Sequence, residues 1–459
     1  MKPSLRLRFS CFAIALIFGC SESSSTDDSS IGDLNDTRLP DATLESRDSR
    51  IDDQMLAQDA SDLQDGLTAP HDAGVGASDT DAPATTYAVN VTGGYGSGQY
   101  RAGDTVHVFA ANDPFSQVVT GWTQTGLTAA PRSEWHLRFV MPANDVTLSP
   151  QVQAVSLDVQ RRTGEGVEGT KRIFTLIPEN AEGLLFIFHG TGGSANIIEK
   201  PAARYLAMAA AQRGYAVIVP EAKEVTDGDQ NGDRKIRWDV APFVDMNVDL
   251  QDIVAYSTMM TERGHVPAEG PRVALGMSNG GAFAVTVGAA LPQFEAVVSL
   301  CATGVSAVSE RTVTPTAWFM CENDNNETVS ASRERWSDGA VALMENGVRT
   351  AFDLHPPSPL YPGRFARIEG VNAEQSSAAV SELAAGGWLD DQGYLTALPR
   401  EVIAGTSENP ADYQTFRRIV NRTSTRRVLS ELKAAYADHE LYDDWATRCL
   451  DFMGVNSGL

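Results

Sequence analysis

Positive charge is scarce in this chain of 459 residues: 36 Lys and Arg face 60 Asp and Glu, a formal net charge of -24. A phosphate backbone requires a basic footprint to displace its counterions, so nucleic acid is excluded as a partner. Otherwise the acidity speaks only for solubility. Near the N-terminus the apolar run Phe12 to Phe18 is too short to span a bilayer as a mature helix. From Ser21 to about Thr85 aromatic residues are almost absent, and that stretch cannot bury enough apolar surface to offset chain entropy. Histidine is rare, with 7 in all, and only His355 and His439 follow Ser278. Cysteine is rarer still, with 5. What remains is a hydrophobic content of 42%, enough for at least one large core, in a length suggesting two or three domains.

Lys2, Arg6 and Arg8 precede the apolar run, which marks residues 1–19 as an export signal that is removed. Its end, Leu16-Ile17-Phe18-Gly19-Cys20, resembles the lipobox of bacterial lipoproteins. The resemblance implies lipidation of Cys20, a membrane anchor through that residue, and, with Ser21 next, sorting to the outer membrane and cell surface. Each buried CH₂ of an acyl chain adds about 0.8 kcal/mol, so more than one chain makes attachment effectively permanent. Residues 20–85 then read as an acidic disordered tether, and about 65 flexible residues span roughly 40 to 50 Å.

Residues 86–154 change character. Short alternating runs such as Tyr87-Ala88-Val89-Asn90-Val91 and Thr105-Val106-His107-Val108-Phe109 are broken by glycine, which predicts a small all-β domain. Gly98 to Val106, Gly121-Trp122 and the ending Met141-Pro142-Ala143-Asn144-Asp145-Val146-Thr147 resemble the bacterial surface repeat related to internalin B-repeats. Such repeats are spacers or adhesion modules.

From residue 155 to 459 β-branched apolar runs alternate with helical patterns, which predicts an α/β fold: a mostly parallel sheet with helices on both faces. The strand runs are Leu184 to Phe188, Tyr215 to Val219, Arg272 to Leu275, Ala296 to Leu300 and Thr316 to Met320. Such runs suit strands buried on both faces. Gly276-Met277-Ser278-Asn279-Gly280 follows one of them and opens a small-residue helix, Ala282 to Ala290. This GxSxG in a strand-turn-helix context fits a nucleophilic serine, because a sharp turn presses the residues two positions away against backbone, where only small ones fit. His189-Gly190-Thr191-Gly192-Gly193 ends an earlier strand and resembles the oxyanion loop of α/β-hydrolases. The N–H groups of Thr191 and Asn279 are the candidate oxyanion donors, with Gly192 as the alternative to Thr191. His189 itself reads as structural.

In the α/β-hydrolase fold the acid and then the histidine follow the serine. His355 falls in the Pro-rich stretch His355 to Pro359 and reads as a loop residue, whereas His439 follows a candidate last strand, Arg427 to Leu432. A helix with Leu441, Trp445, Cys449 and Phe452 on one face comes after it. His439 is the candidate base. Asp324 is the candidate acid: Cys321-Glu322-Asn323-Asp324 keeps the spacing of the family's Gly-x-x-Asp with cysteine in place of glycine, and Glu322 is the alternative.

Together these motifs resemble the secreted esterases of the superfamily, the polyhydroxybutyrate depolymerase and feruloyl esterase group, from about residue 165 to the end. The resemblance implies hydrolysis of an ester-containing extracellular substrate through an acyl-enzyme, with no cofactor required, and a cap insertion at about 351–424 that chooses the substrate. A peptidase with the same residues and a non-catalytic surface binding protein are the alternatives. Asp227, Asp229, Asn231 and Asp233 offer oxygen ligands at alternate positions, as a Ca²⁺ loop does, although Trp238 stands where the bidentate Glu belongs. Cys301 and Cys321 end what should be neighbouring parallel strands and are candidates for a disulfide in an oxidising compartment.

Overall fold

The computed structural model describes residues 85–455, apart from 130, 231, 306–307, 309–311, 327–339 and 424. The signal, Cys20, nearly all of the tether and Asn231 therefore lie outside the described residues. Among the described residues no helix is long and apolar enough to cross a membrane. One compact unit, Asp81–Leu459, contains all of them.

The alternating runs at the start build two small sheets. One orders β3 (Gly98–Arg101), β1 (Thr86–Val91), β7 (Val146–Ala154) and β5 (Gln117–Thr125), and the other orders β2 (Gly94–Tyr95), β4 (Thr105–Ala110) and β6 (His136–Val140). β1 pairs antiparallel with β3 and parallel with β7. The repeat-like ending is structural chemistry. Met141 is buried, and the Asp145 carboxylate accepts the Ala88 N–H at 2.7 Å, pinning the first strand beside the last. Gly126 has a φ of +93°, and a Cβ there would stand 2.2 Å from the Asp145 carbonyl oxygen, so only glycine fits.

The larger sheet has eight strands in the order β15-β14-β13-β12-β10-β11-β9-β8. These are β8 (Gln160–Gly166), β9 (Gly169–Leu176), β10 (Gly183–Phe188), β11 (Tyr215–Pro220), β12 (Arg272–Met277), β13 (Phe294–Leu300), β14 (Thr316–Cys321) and β15 (Thr350–His355). From β11 to β15 neighbouring strands run parallel, and β9 and β8 close the far edge antiparallel. Strand periodicity sorts the two faces: Leu185 and Ile187 of β10 enter one core, while Leu184, Phe186 and Phe188 enter another. α1 (Pro201–Gln212) and α9 (Ala446–Phe452) cover the first face; α3 (Val248–Glu262) and α4 (Asn279–Ala290) cover the second. α2 is the short helix Lys223–Asp227. The first core is continuous with that of the β-module, so Val106, Val108 and Trp135 belong to the same apolar cluster as Leu206 and Leu450. The module is thus packed onto the larger domain, a close union that the resemblance to spacers or adhesion modules does not imply.

A third core belongs to the cap: α5 (Ala373–Ala385), α6 (Pro399–Glu408), α7 (Gln414–Thr423) and α8 (Thr425–Tyr436) gather around Phe365, Val402, Phe416, Ile419 and Leu432. Three expectations are corrected here. Arg427 to Leu432 is helix, because over the longer window Val428, Leu432 and Ala435 repeat at helical spacing and bury one face. The last strand is β15, and the insertion begins after it rather than at residue 351. His355 ends that strand, buried, instead of lying in a loop. β15 escaped notice because it is an edge strand with Phe352 and Leu354 exposed, so it lacks the run typical of an interior strand.

Candidate active site

Ser278 occupies the turn between β12 and α4 with φ 57° and ψ -128°, a left-handed backbone on a non-glycine residue. The turn is tight enough to dictate its neighbours. A Cβ on Gly276 would lie 2.1 Å from the Gly280 carbonyl oxygen, and one on Gly280 would lie 2.4 Å from that of His189. The hydroxyl is thereby lifted to the C-terminal end of the sheet, the strand-turn-helix context the motif requires. Mixed sheet, elbow and flanking helices make this the α/β-hydrolase fold.

Ser278 Oγ lies 2.8 Å from His439 Nε2, and His439 Nδ1 lies 2.8 Å from Asp324 Oδ2. The three predicted residues thus come together although 161 positions separate Ser278 from His439. Asp324 is buried and its neighbour Glu322 exposed, which separates the two acid candidates. Asn323, between them, donates its backbone N–H to Ala437 O at 3.0 Å and its side-chain amide to Tyr436 O at 2.8 Å, tying the acid loop to the histidine loop.

The candidate oxyanion loop is braced by His189. His189 is buried; its Nδ1–H donates to Gly190 O at 2.8 Å and its Nε2 accepts the Ala222 N–H at 3.2 Å. Burial holds its pKa down to about 4, so the ring is a neutral brace at neutral pH. The Gly192 N–H donates to Ile236 O at 2.7 Å, which removes the alternative oxyanion donor. Thr191 is exposed and follows Gly190, where a Cβ would stand 3.2 Å from Ser278 Cβ. The Asn279 side chain is clasped by Trp238, accepting its N–H at 2.7 Å and donating to its carbonyl at 3.2 Å, which leaves the Asn279 backbone N–H at the start of α4.

Sequence reading missed the residues that flank the histidine, although Asp438-His439-Glu440 carries the signal. Asp438 Oδ1 accepts the His439 N–H at 2.6 Å, and Lys433 Nζ reaches Asp438 Oδ2 and the His439 carbonyl, each at 3.0 Å. Glu440 is buried against Lys200 Nζ at 2.7 Å and accepts the Ser430 hydroxyl at 2.8 Å. Burial alone would raise its pKa, but Lys200 and these bonds outweigh that and lower it. Beneath the site, Cys301 Sγ and Cys321 Sγ lie 2.9 Å apart, both buried. Cys301 Sγ also lies within 4.8 Å of the facing atoms of Asp324 and His439.

In the Asp-rich loop, Asp227 pairs with Lys223 at 2.6 Å, Asp233 with Arg237, and Asp229 accepts the N–H groups of Gly232 and Arg234 at 2.8 and 2.6 Å. These bonds shape a turn from the same oxygens that would bind a cation.

No family model and no curated protein matches the chain. Among solved structures it is similar to a dienelactone hydrolase from Anabaena variabilis ATCC 29413, with 20% identity over 50% of this chain and 96% of that one at a TM-score of 0.34. It is also similar to an esterase from Pyrobaculum calidifontis, with 15% identity over 50% and 86% of the two chains and a TM-score of 0.32. An acylaminoacyl peptidase from Pyrococcus horikoshii gives 10% identity, 52% and 43% coverage and a TM-score of 0.33.

Proposed function

We propose that the chain is a carboxylic ester hydrolase acting through an acyl-enzyme on Ser278, anchored at Cys20 to the outer membrane and directed at an extracellular ester or polyester. The observation that carries this is the unbroken line Ser278 Oγ, His439 Nε2, His439 Nδ1, Asp324 Oδ2, with 2.8 Å at each hydrogen bond. The Ser278 hydroxyl donates to His439, which takes its proton as the oxygen attacks the ester carbonyl. Asp324 holds the ring in the required tautomer and stabilises the imidazolium. The oxyanion that develops is met by the N–H groups of Thr191 and Asn279; losing one such donor costs about 2.7 to 4 kcal/mol of transition-state stabilisation. His439 returns the proton to the leaving alcohol, and water repeats the sequence on the acyl-enzyme. What favours esters over amides is the resemblance of HGTGGS and GxSxGG to the secreted esterases, since the triad itself serves both, and the cap between β15 and His439 is where substrate choice would reside.

Intact exporting cells treated with a fluorophosphonate probe and partitioned in cloud-point detergent test both parts. The expected result is a labelled chain in the detergent phase, Ser278→Ala without label, and Cys20→Ala labelled but aqueous. Label that survives Ser278→Ala would defeat the nucleophile, and an unlipidated wild type would defeat the anchor. Acyl, feruloyl, polyhydroxybutyrate and aminoacyl amide substrates then separate esterase from peptidase.

A further inference from the structure

The segment that carries the catalytic histidine has little backbone scaffold of its own. Between the end of α8 at Tyr436 and the start of α9 at Ala446 it forms neither helix nor strand. On one side it is held by the acid loop, through Asn323 and through the Asn325 N–H, which donates to Asp438 Oδ1 at 3.4 Å. On the other side it is held by the β-module, through four consecutive residues that lead into β6.

The contacts are specific. Ser133 O accepts the Thr447 hydroxyl at 2.8 Å. The two oxygens of Glu134 accept the N–H groups of Thr447 and Arg448 at 3.0 and 2.9 Å, satisfying first-turn donors of α9. Trp135 is fully buried and its Nε1–H donates to Asp443 O at 3.1 Å. His136 Nδ1 lies 2.7 Å from Asp444 Oδ1. The chain of contacts goes further on both sides. His107 Nδ1 meets His136 Nε2 at 2.9 Å, and Tyr394 of the cap meets His107 Nε2 at 3.0 Å. Arg367 of the cap binds Asp443 and lies 3.8 Å above the Trp135 ring. A spacer would have no reason to bury polar groups of this kind; each must find its partner or cost stability.

We propose that the β-module is part of the catalytic apparatus, with Glu134, Trp135 and His136 acting as positioning residues that hold the His439 segment in register with Ser278 and Asp324. This rests on the reading of Ser278 and His439 as nucleophile and base. Placement matters at this scale because a displacement of about 1 Å in a catalytic group can cost about a hundredfold in rate.

The test uses the full chain and two substitutions across this contact, alone and combined: Thr447→Val, which deletes the hydroxyl donor to Ser133 O at nearly constant shape, and Trp135→Phe, which deletes the Nε1–H donor to Asp443 O together with part of the buried ring. Thr123→Ala, on the module strand β5, serves as the control, since its hydroxyl donates within the module, to Ser149 O at 3.3 Å. With a small p-nitrophenyl ester, kcat should fall about tenfold in each single variant and further in the double, with KM within about twofold. The downfield proton resonance of the His439 to Asp324 hydrogen bond should shift or broaden in folded variant protein, a readout that needs no turnover. Folded variants with wild-type kcat and an unmoved resonance would overturn the proposal. Hydrolysis that persists in Ser278→Ala would instead overturn the underlying reading, and the resonance would still report on the clamp.

Discussion

At the scale of single residues, the left-handed backbone of Ser278 explains why its motif could be read at all. A serine at φ 57° needs glycines at fixed offsets, so the turn writes its geometry into the sequence. Asp324 and His439 were legible through chain order and through the shortage of downstream histidines. Lys200 and Glu440 were not, because 240 positions separate them and nothing local signals the pairing. The same holds for Glu134 and His136, whose partners follow His439. Cys301 and Cys321 form an intermediate case: strand order places them side by side, and their sulfurs lie 2.9 Å apart where a bond requires about 2.05 Å. Burial holds the Cys321 thiol well above the usual thiol range, so oxidation is expected during folding rather than by attack on the native protein. Exported protein should gain about 2 Da on denaturing reduction, the mass of one disulfide opened. An unchanged mass would show that both remain thiols.

At the scale of elements, interior strands were legible and edge strands were not. β10 to β14 are covered on both faces and spell out apolar runs, whereas β15 and the β8 to β9 hairpin lie at the sheet edges, where one face or one side is open. The opposite error, reading strand for helix in α8, arose because a six-residue window containing Val428, Ser430 and Leu432 fits both periods. The helix has a measurable consequence. Leu432 is fully buried in the cap core, so Leu432→Ala should cost about 2 to 5 kcal/mol, seen as a lower urea midpoint at unchanged slope. A midpoint equal to wild type would place Leu432 outside that core.

At the scale of the whole molecule, buried ionisable groups set opposing limits on pH stability. Burial lowers His107 from 6.5 to about 3 and His189 from 6.5 to about 4. The unfolded chain therefore binds more protons below pH 6.5, and stability present above that value is lost as pH falls toward 4. Burial raises Glu134 from 4.5 to about 8, so between those values the folded chain binds more protons and stability falls as pH rises. Asp249, raised from 3.8 to about 6, acts in the same sense over a lower window. The melting temperature should peak at about pH 4.5 to 6.5, where the opposing groups offset one another, and decline on both sides. Glu134→Gln should flatten the decline toward pH 8. A profile still falling there in the variant would assign the alkaline limb to another group.

The parallel pairing of β1 with β7 has a mechanical meaning. Val89, Asn90 and Val91 lie opposite Val146, Thr147 and Leu148, and β7 continues directly into the larger domain. A pull applied at the N-terminal end of β1, resisted by the domain that follows β7, runs along both strands and loads their hydrogen bonds in shear. Bonds loaded in this way share the force instead of opening one after another. Tension between the segment before β1 and the larger domain would thus be borne by the module that also contacts the His439 segment.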